Sequence, residues 1–231
     1  MNVQEGAARR GRPPRHTRAD VVAAAVALAD ADGLAALTMR TVAARLGTGV
    51  MSLYSYVPDK EALVAAMVEH VSGEQRLPAP SGNPRADLAL LAREQRALLH
   101  RHPWLVEALS HRQPLGPNAL AALEFAAAAL GPTGQPPDTR LETFALLTGF
   151  VVNAVRSELA DAAARSMAPE AAVEQQRQLL ELLGTGRYPN VAAAMAQVAA
   201  GERAADVGER FEQLLERMLD GLVGGRAAGR S

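Results

Sequence analysis

Apolar residues recur along the chain at the three- and four-residue spacing that places side chains on one face of an α-helix. In the first such segment, Thr17 is a residue type that caps helix N-termini, and Gly33 is the type that ends helices. The apolar face between them comprises Val21, Ala25, Leu28 and Ala29. The pattern therefore predicts a first amphipathic helix between Thr17 and Gly33.

Three more helices are predicted before residue 77. Thr38 is a second N-cap, and Gly47 follows a short helix. A third helix is predicted over 49–56, and a fourth runs from Pro58 and Asp59 to about residue 76. The residues spaced to face inward from the third helix are Val50, Leu53, Tyr54 and Val57. Short helices separated by a glycine-containing turn are typical of a helix-turn-helix.

The rest of the chain predicts more helices and no sheet, because no segment alternates apolar and polar residues with period two. These helices are predicted at 84–101, 103–110, 116–130, 138–165, 168–183, 189–199 and 206–224. The expected fold class is all-α, with an N-terminal three-helix domain at 17–60 and a larger helical domain at 61–226. Residues 1–16 are rich in Gly, Pro and Arg and predict a disordered basic arm.

Composition narrows the class of protein. The sequence has 48% hydrophobic residues, 3% aromatic residues and no cysteine. Disulfides, thiolate nucleophiles and cysteine-based metal sites are therefore excluded. No apolar run reaches the roughly 18 residues that a membrane-spanning helix needs, so a soluble, cytoplasmic protein is expected.

Charge is distributed unevenly along the chain. Residues 1–60 contain eight Arg or Lys and five Asp or Glu, a net of +3, whereas the remaining 16 basic and 20 acidic residues give −4. This asymmetry favours a chain that presents its N-terminal end to a polyanion. Chance asymmetry in a short window would produce the same numbers.

Two adjacent segments form a dense motif: LTMRTVAARLG at 37–47 and VMSLYSYVPDKEAL at 50–63. Together they resemble the DNA-binding domain of the TetR family of transcription regulators. The stretches HPWL at 102–105 and GPNAL at 116–120 resemble, more loosely, a regulatory domain of the same family. The resemblance implies an all-helical homodimer that binds a palindromic operator in double-stranded DNA through its first three helices, and a helical domain for effector binding and dimerisation.

The second helix and the start of the third supply candidate base contacts. Arg40 can donate two hydrogen bonds to a base edge or a phosphate, although a surface ion pair is an alternative. Thr38 can meet a phosphate or serve only as a cap. The leading turn of the recognition helix, which enters the major groove in such modules, comprises Thr48, Gly49, Val50, Met51 and Ser52. Val50 or Met51 can contact a thymine methyl group, and Val50 can equally belong to the core.

The backbone contacts are predicted to come from the residues that follow. The resemblance implies that the aromatic residues Tyr54 and Tyr56, which flank Ser55, lie against the DNA backbone; packing is the alternative, more so for Tyr54. Lys60 opens the fourth helix, where its ammonium group and free backbone N–H groups attract phosphate. In the arm, Arg12 and Arg15 can enter a narrow minor groove or remain solvated.

The larger domain supplies candidates for an effector pocket and a dimer interface. The predicted pocket residues are Met67, Trp104, Phe125, Phe144, Thr148 and Asn153, each of which can instead be plain core. Asn153 can alternatively form a hydrogen bond at the dimer interface. Helices 138–165 and 206–224 are expected to form a four-helix bundle between two copies. The predicted interface residues are Val151, Val155, Phe211, Leu215, Met218 and Leu222.

Catalytic and metal-binding patterns are missing from the sequence. His100 and His102 are two residues apart, so on a helix they point to different sides and suit a metal poorly. GxSxG, HExxH and Walker sequences do not occur. The missing patterns predict a protein that is not an enzyme and has no cofactor or metal, and the resemblance implies a repressor that a small-molecule effector releases from DNA. An activator or a ligand-independent regulator is the alternative, with an all-helical enzyme or carrier as the remote one.

Overall fold

The computed structural model describes residues 16–109, 115–165, 169–199 and 207–223. These ranges contain helices and no strand, so the all-α prediction is confirmed. The helices are α1 (Arg18–Asp32), α2 (Met39–Leu46), α3 (Val50–Leu53), α4 (Lys60–Ser72), α5 (Pro84–Arg101), α6 (Leu105–Ala108), α7 (Pro117–Ala129), α8 (Pro137–Arg165), α9 (Pro169–Gly184), α10 (Pro189–Ala199) and α11 (Val207–Val223). Two short 3₁₀ turns lie at Leu34–Ala36 and Gly131–Thr133.

Helices α1 to α4 pack around a small aliphatic core. The buried side chains include Val21, Ala25, Leu37, Val42, Leu53, Val57, Leu63 and Met67. The prediction of a third helix over 49–56 was too long, because α3 ends at Leu53 and residues 54–56 form a turn. Val57 lies between this turn and Pro58, and a proline disfavours helical geometry in the residue before it, so the helix does not resume there. Helix α4 likewise ends at Ser72 rather than near residue 76.

Helix α5 is the centre of the larger domain and packs against α7, α8 and α11. Asn83 caps its N-terminus by accepting a hydrogen bond from the backbone N–H of Ala86, and Pro84 occupies the first turn. Asp87 is buried and accepts a 3.0 Å hydrogen bond from the backbone N–H of Ser81. The loop between α4 and α5 is therefore attached to α5.

Helices α8 and α11 each bury one face within the chain. Leu147, Val151 and Val155 of α8 are fully buried, as are Leu215 and Leu219 of α11. Their contact includes the stacked rings of Phe150 and Phe211, with centroids 5.7 Å apart. Ion pairs on the surface also join α5 to α11: Arg85 with Glu216 and Asp220, and Arg93 with Glu212.

Helices α9 and α10 pack against each other and display many apolar side chains to solvent. These exposed residues are Val173, Leu179, Leu180, Leu182, Val191, Met195 and Val198. On the polar side of α9, Arg177 pairs with Glu174 and Glu181 at helical i−3 and i+4 spacing.

Candidate DNA-binding surface and ligand cavity

Capping boxes fix the N-termini of α1 and α2. The Thr17 side chain accepts from the backbone N–H of Asp20, whose carboxylate accepts from the backbone N–H of Thr17 at 2.7 Å. This second bond is the main reason why the pKa of Asp20 lies below its usual value. Thr38 and Thr41 form the same pattern on α2. Thr38 is thus occupied as a cap, the role that its residue type favours.

The turn between α2 and α3 depends on Gly47. This glycine has φ 63° and ψ 35°, a left-handed conformation that residues with a Cβ rarely adopt. Its backbone N–H bonds the carbonyl oxygens of Ala43 and Ala44, which ends α2. Thr48 and Gly49 complete the turn, and Gly49 is the N-cap of α3. The sharp turn sets α3 against α2 in the arrangement of a helix-turn-helix.

The short helix α3 has two distinct faces. Leu53 is fully buried and attaches the helix to the core, with Val50 half-buried beside it. Met51 is 81% exposed, which is unusual for a large apolar side chain, and Ser52 beside it is exposed as well. The face formed by Met51 and Ser52 is therefore available for an external partner.

The exposure of Tyr54 differs from the inward orientation that helical spacing predicts, and the predicted contact of Tyr54 and Tyr56 with the DNA backbone stays a prediction. Tyr54 was expected to face inward, yet it is 47% exposed, while Tyr56 is half-buried and packs against the core. The reason is the turn at residues 54–56, which replaces the helical periodicity on which that prediction depended. Ser55 is exposed, and its hydroxyl donates to the carbonyl oxygen of Ser52 at 2.7 Å. Its oxygen can still accept a hydrogen bond, but its proton is used.

Two cations flank α3. Arg40, near the start of α2, and Lys60, the first residue of α4, are both exposed. Neither forms an ion pair with another residue in the part of the chain that the structure describes. Asp59 caps α4 by accepting from the backbone N–H of Ala62 at 2.7 Å. One of the N–H groups expected to attract phosphate beside Lys60 is therefore already satisfied. The arm residues Arg12 and Arg15 lie outside the described residues.

A polar cluster joins the first helix to the larger domain. Oδ1 of Asp30, at the end of α1, lies 2.7 Å from Nδ1 of His102 and accepts a 2.7 Å hydrogen bond from Nε1 of Trp104. Nε2 of His102 faces the carboxylate of Glu74 at 3.2 Å, and Arg101 pairs with the same carboxylate. We call Asp30, Glu74, His102 and Trp104 the Asp30 cluster. It connects α1 and the end of α4 to the corner between α5 and α6.

Residues from helices α4 to α8 line a mostly apolar cavity. The cavity volume is about 150 Å³, and the cavity is partly open to solvent. Its walls include Val68, Leu98, Leu99, Leu105, Leu109, Phe144 and Val152. Its polar lining residues are Ser72, Gln75, Gln95 and Thr148, and no charged side chain is present among the described residues that line it. Such apolar walls with a few polar groups are typical of small-molecule sites.

The structure places the six predicted pocket residues in different environments. Phe144 and Thr148 line the cavity, and Asn153 is exposed on α8. Met67 is fully buried in the core and does not line this cavity. Trp104 and Phe125 do not line it either, since each lines a separate surface depression. Helical spacing identified the apolar faces but could not show which of them line a cavity.

Four of the six predicted interface residues are buried within a single chain. Val151, Val155 and Leu215 are fully buried, and Phe211 is 2% exposed, all within a single chain. They hold α8 and α11 to each other and to α5, so no surface of theirs remains for a partner. Met218 and Leu222 are half-buried. The solvent-facing side of these helices instead contains Leu141 and Leu146 on α8 and Leu214 on α11.

Sequence reasoning missed the Asp30 cluster and Gln95. His102 is buried between two carboxylates. The motif HPWL could have indicated this cluster, because buried His and Trp side chains require polar partners. Gln95 had no local signal, since its partner Thr148 is 53 residues away. Among the described residues, no group of three His, Asp or Glu side chains is placed to hold a metal ion.

None of the helices in the described ranges combines the length and the hydropathy needed to cross a bilayer.

The exposed face of α3, its flanking cations and the separate cavity define the class of the protein: a helix-turn-helix transcription regulator. Residues 21–67 match the family described as "Bacterial regulatory proteins, tetR family", and residues 77–224 match "Tetracyclin repressor-like, C-terminal domain". The chain belongs to the TetR family of DNA-binding transcription regulators. The predictions of this family and of a regulator rather than an enzyme are thereby confirmed.

Similar proteins are known from Streptomyces. The chain is 39% identical over 219 residues to the HTH-type transcriptional repressor DrrR1 of Streptomyces coeruleorubidus, covering 92% of this chain and 79% of that protein. The TetR family protein ActR of Streptomyces coelicolor in complex with (S)-DNPA has a similar structure, with a TM-score of 0.75 and 27% identity over 92% of this chain and all of that one. ActR in complex with actinorhodin gives 0.74 and 28%, over 92% of this chain and 98% of that one.

Proposed function

We propose that the chain is a repressor that binds a palindromic operator as a homodimer and leaves it when a small molecule occupies the cavity. The proposal of DNA binding rests on the exposed face of α3. There Met51 is 81% exposed, on a helix that buried Leu53 attaches to the core. A soluble domain gains nothing in stability from such a side chain. Contact with a thymine methyl group in the major groove gives it a function.

Around this face, each polar group has a distinct proposed role. Arg40 donates to a base edge or a phosphate, and Lys60 contacts a phosphate as a point charge. Thr48, Gly49, Val50 and Ser52 accompany Met51 in the groove. Tyr54, which is exposed, donates its phenolic proton to the DNA backbone, while Thr38, Ser55 and Tyr56 serve to position these groups. Arg12 and Arg15 extend the contact into the minor groove.

A palindromic operator requires two copies related by a two-fold axis. We assign the interface to the solvent-facing sides of α8 and α11, where Leu141, Leu146 and Leu214 are exposed. Exposed Asn153 lies on the same helix and would form the hydrogen bond between copies. Met218 and Leu222 border this surface. The two recognition helices would then lie about 35 Å apart, one turn of DNA.

Release requires a ligand that binds the state unable to hold DNA more tightly than the state that holds it. The cavity is suited to this, because α4 and α6 line it and both lead directly to the Asp30 cluster on α1. A difference of a few kcal/mol between the two states is sufficient. The name of DrrR1 as a repressor and the ligand complexes of ActR support the proposal.

The decisive test begins with selection of bound fragments from random DNA, which yields the operator and its half-site spacing. On that operator, Arg40→Ala is expected to weaken binding by about 1–3 kcal/mol because it removes a charged donor at the interface. The measurement is a titration followed by fluorescence anisotropy. Arg187→Ala is the matched control, since Arg187 is exposed far along the chain and lies over its own neighbour Tyr188. Equal affinity of Arg40→Ala and wild type would contradict the proposed contact.

A further inference from the structure

The cavity contains a buried acceptor without a partner. Gln95 of α5 is 8% exposed, and its Nε2 donates to Oγ1 of Thr148 at 3.1 Å. Its other polar atom, Oε1, is buried, and no donor within the described residues lies at hydrogen-bonding distance from it. Both residues line the cavity. Buried carbonyl oxygens are almost always hydrogen-bonded, and those that are not frequently mark functional positions.

The other polar groups of the cavity differ from Gln95. The hydroxyl of Ser72 donates to the carbonyl oxygen of Val68 at 2.7 Å. Thr148 already accepts the hydrogen bond from Gln95. Among the described residues that line the cavity, Gln95 Oε1 is a nine-tenths-buried acceptor that still lacks a donor.

The charge of the cavity restricts its ligand further. The described lining residues include no Asp, Glu, Lys, Arg or His. An ionised ligand would lose its hydration on entering and would find no opposite charge among these described lining residues to compensate. A neutral molecule loses far less, and its apolar surface gains from contact with the leucine and phenylalanine walls.

We propose that the effector is a neutral, largely apolar molecule that carries a hydroxyl or N–H group, and that this group donates to Oε1 of Gln95. The inference rests on the proposed function, because it assigns the ligand class of the same cavity. Gln95 is thus the residue that selects among apolar ligands. A ligand that has no donor leaves Oε1 unpaired, and the loss of one hydrogen bond corresponds to about a tenfold loss of affinity.

The test uses three probes of one shape: 2-naphthol, which donates; 2-methoxynaphthalene, which only accepts; and 2-naphthoate, which is an anion. Binding to the full chain is measured by isothermal titration calorimetry. Wild type is expected to bind 2-naphthol about tenfold more tightly than the methyl ether, and to bind 2-naphthoate weakest. In Gln95→Leu the ratio between naphthol and its ether should fall about tenfold, because the acceptor is gone. Gln178→Leu on exposed α9 makes the same chemical change away from the cavity and should leave the ratio unaltered.

Three results would overturn the inference. The first is equal affinity of wild type for naphthol and the ether, which requires no variant and so holds even if Gln95→Leu does not fold. The second is a preference for the ether that Gln95→Leu abolishes, because Gln95 would then be a donor. The third is absence of binding by all three probes. None of these results affects operator binding, whereas failure of the proposed function would appear as absence of operator binding by the unliganded chain.

Discussion

Helices α1–α4 and helices α5–α8 bury similar aliphatic side chains, but they place their functional groups in opposite ways. In the first region, Arg40, Met51 and Lys60 point to solvent from a solid core. In the second, Gln95 and Thr148 lie inside, around an incompletely filled space. An exposed site can therefore change without loss of stability, whereas a change in the cavity alters packing and recognition together.

The Asp30 cluster is where these two regions meet. Trp104 and His102 from the larger domain share one carboxylate oxygen of α1. Helix α6 begins directly after Trp104, and its Leu105 lines the cavity. A ligand that moves α6 would therefore disturb the hydrogen bonds that position α1.

The largest expected effect separates the two faces of α3. Leu53→Ala should destabilise the protein by about 2–5 kcal/mol, because Leu53 is fully buried. Met51→Ala on the exposed face should change stability by less than about 0.5 kcal/mol, while weakening operator binding. Urea denaturation and operator titration measure the two quantities. A Met51→Ala protein as unstable as Leu53→Ala would remove the contrast between surface and core.

An intermediate effect is expected at the contact between the regions. Asp30→Ala should cost about 1–3 kcal/mol of unfolding free energy, because it leaves buried polar groups of His102 and Trp104 without their acceptor. Combination with Trp104→Phe should be non-additive, since the two residues share a hydrogen bond. Asp32→Ala, an exposed position on the same helix, is the control. Additive losses in a double-mutant cycle would show that the cluster does not act as a unit.

The smallest effect concerns pH and the contact between α5 and α11. Hydrogen bonding by Arg93 lowers the pKa of Glu212. The pair therefore stabilises the fold above the ordinary glutamate pKa of about 4.3, and this contribution is lost as the pH falls through the lowered value. Because the side chains are 50% and 42% exposed, the contribution should stay below about 1 kcal/mol. Urea unfolding of Glu212→Gln and wild type should differ at pH 7 and converge once the pH falls below the lowered pKa of Glu212; a pH-independent difference would exclude this cause.

The features predicted correctly from the sequence are those determined by near neighbours. Thr17, Thr38 and Gly47 act within one turn of helix, so their caps can be read from residue type and spacing. Tyr54 was misplaced because the chain leaves helical geometry just before Pro58. In each case a few adjacent residues decide the outcome.

The cavity could not be predicted in this way. Gln95 meets Thr148 across 53 residues, and Asp30 meets Trp104 across 74. Periodicity shows which face of a helix is apolar, but it does not show whether that face meets a core, a partner or a space. Val151 and Leu215 look like interface residues in the sequence for this reason, although the chain buries them itself.

Lys60 is the only lysine in the sequence, and it stands exposed at the first turn of α4. Acylation by an amine-reactive ester therefore has a single ε-amino target, on the surface assigned to the operator. Bound duplex would shield that nitrogen, and a compound that displaces the duplex would restore its reactivity. Because Lys60 is the only lysine in the chain, its reactivity reports directly whether DNA occupies this surface.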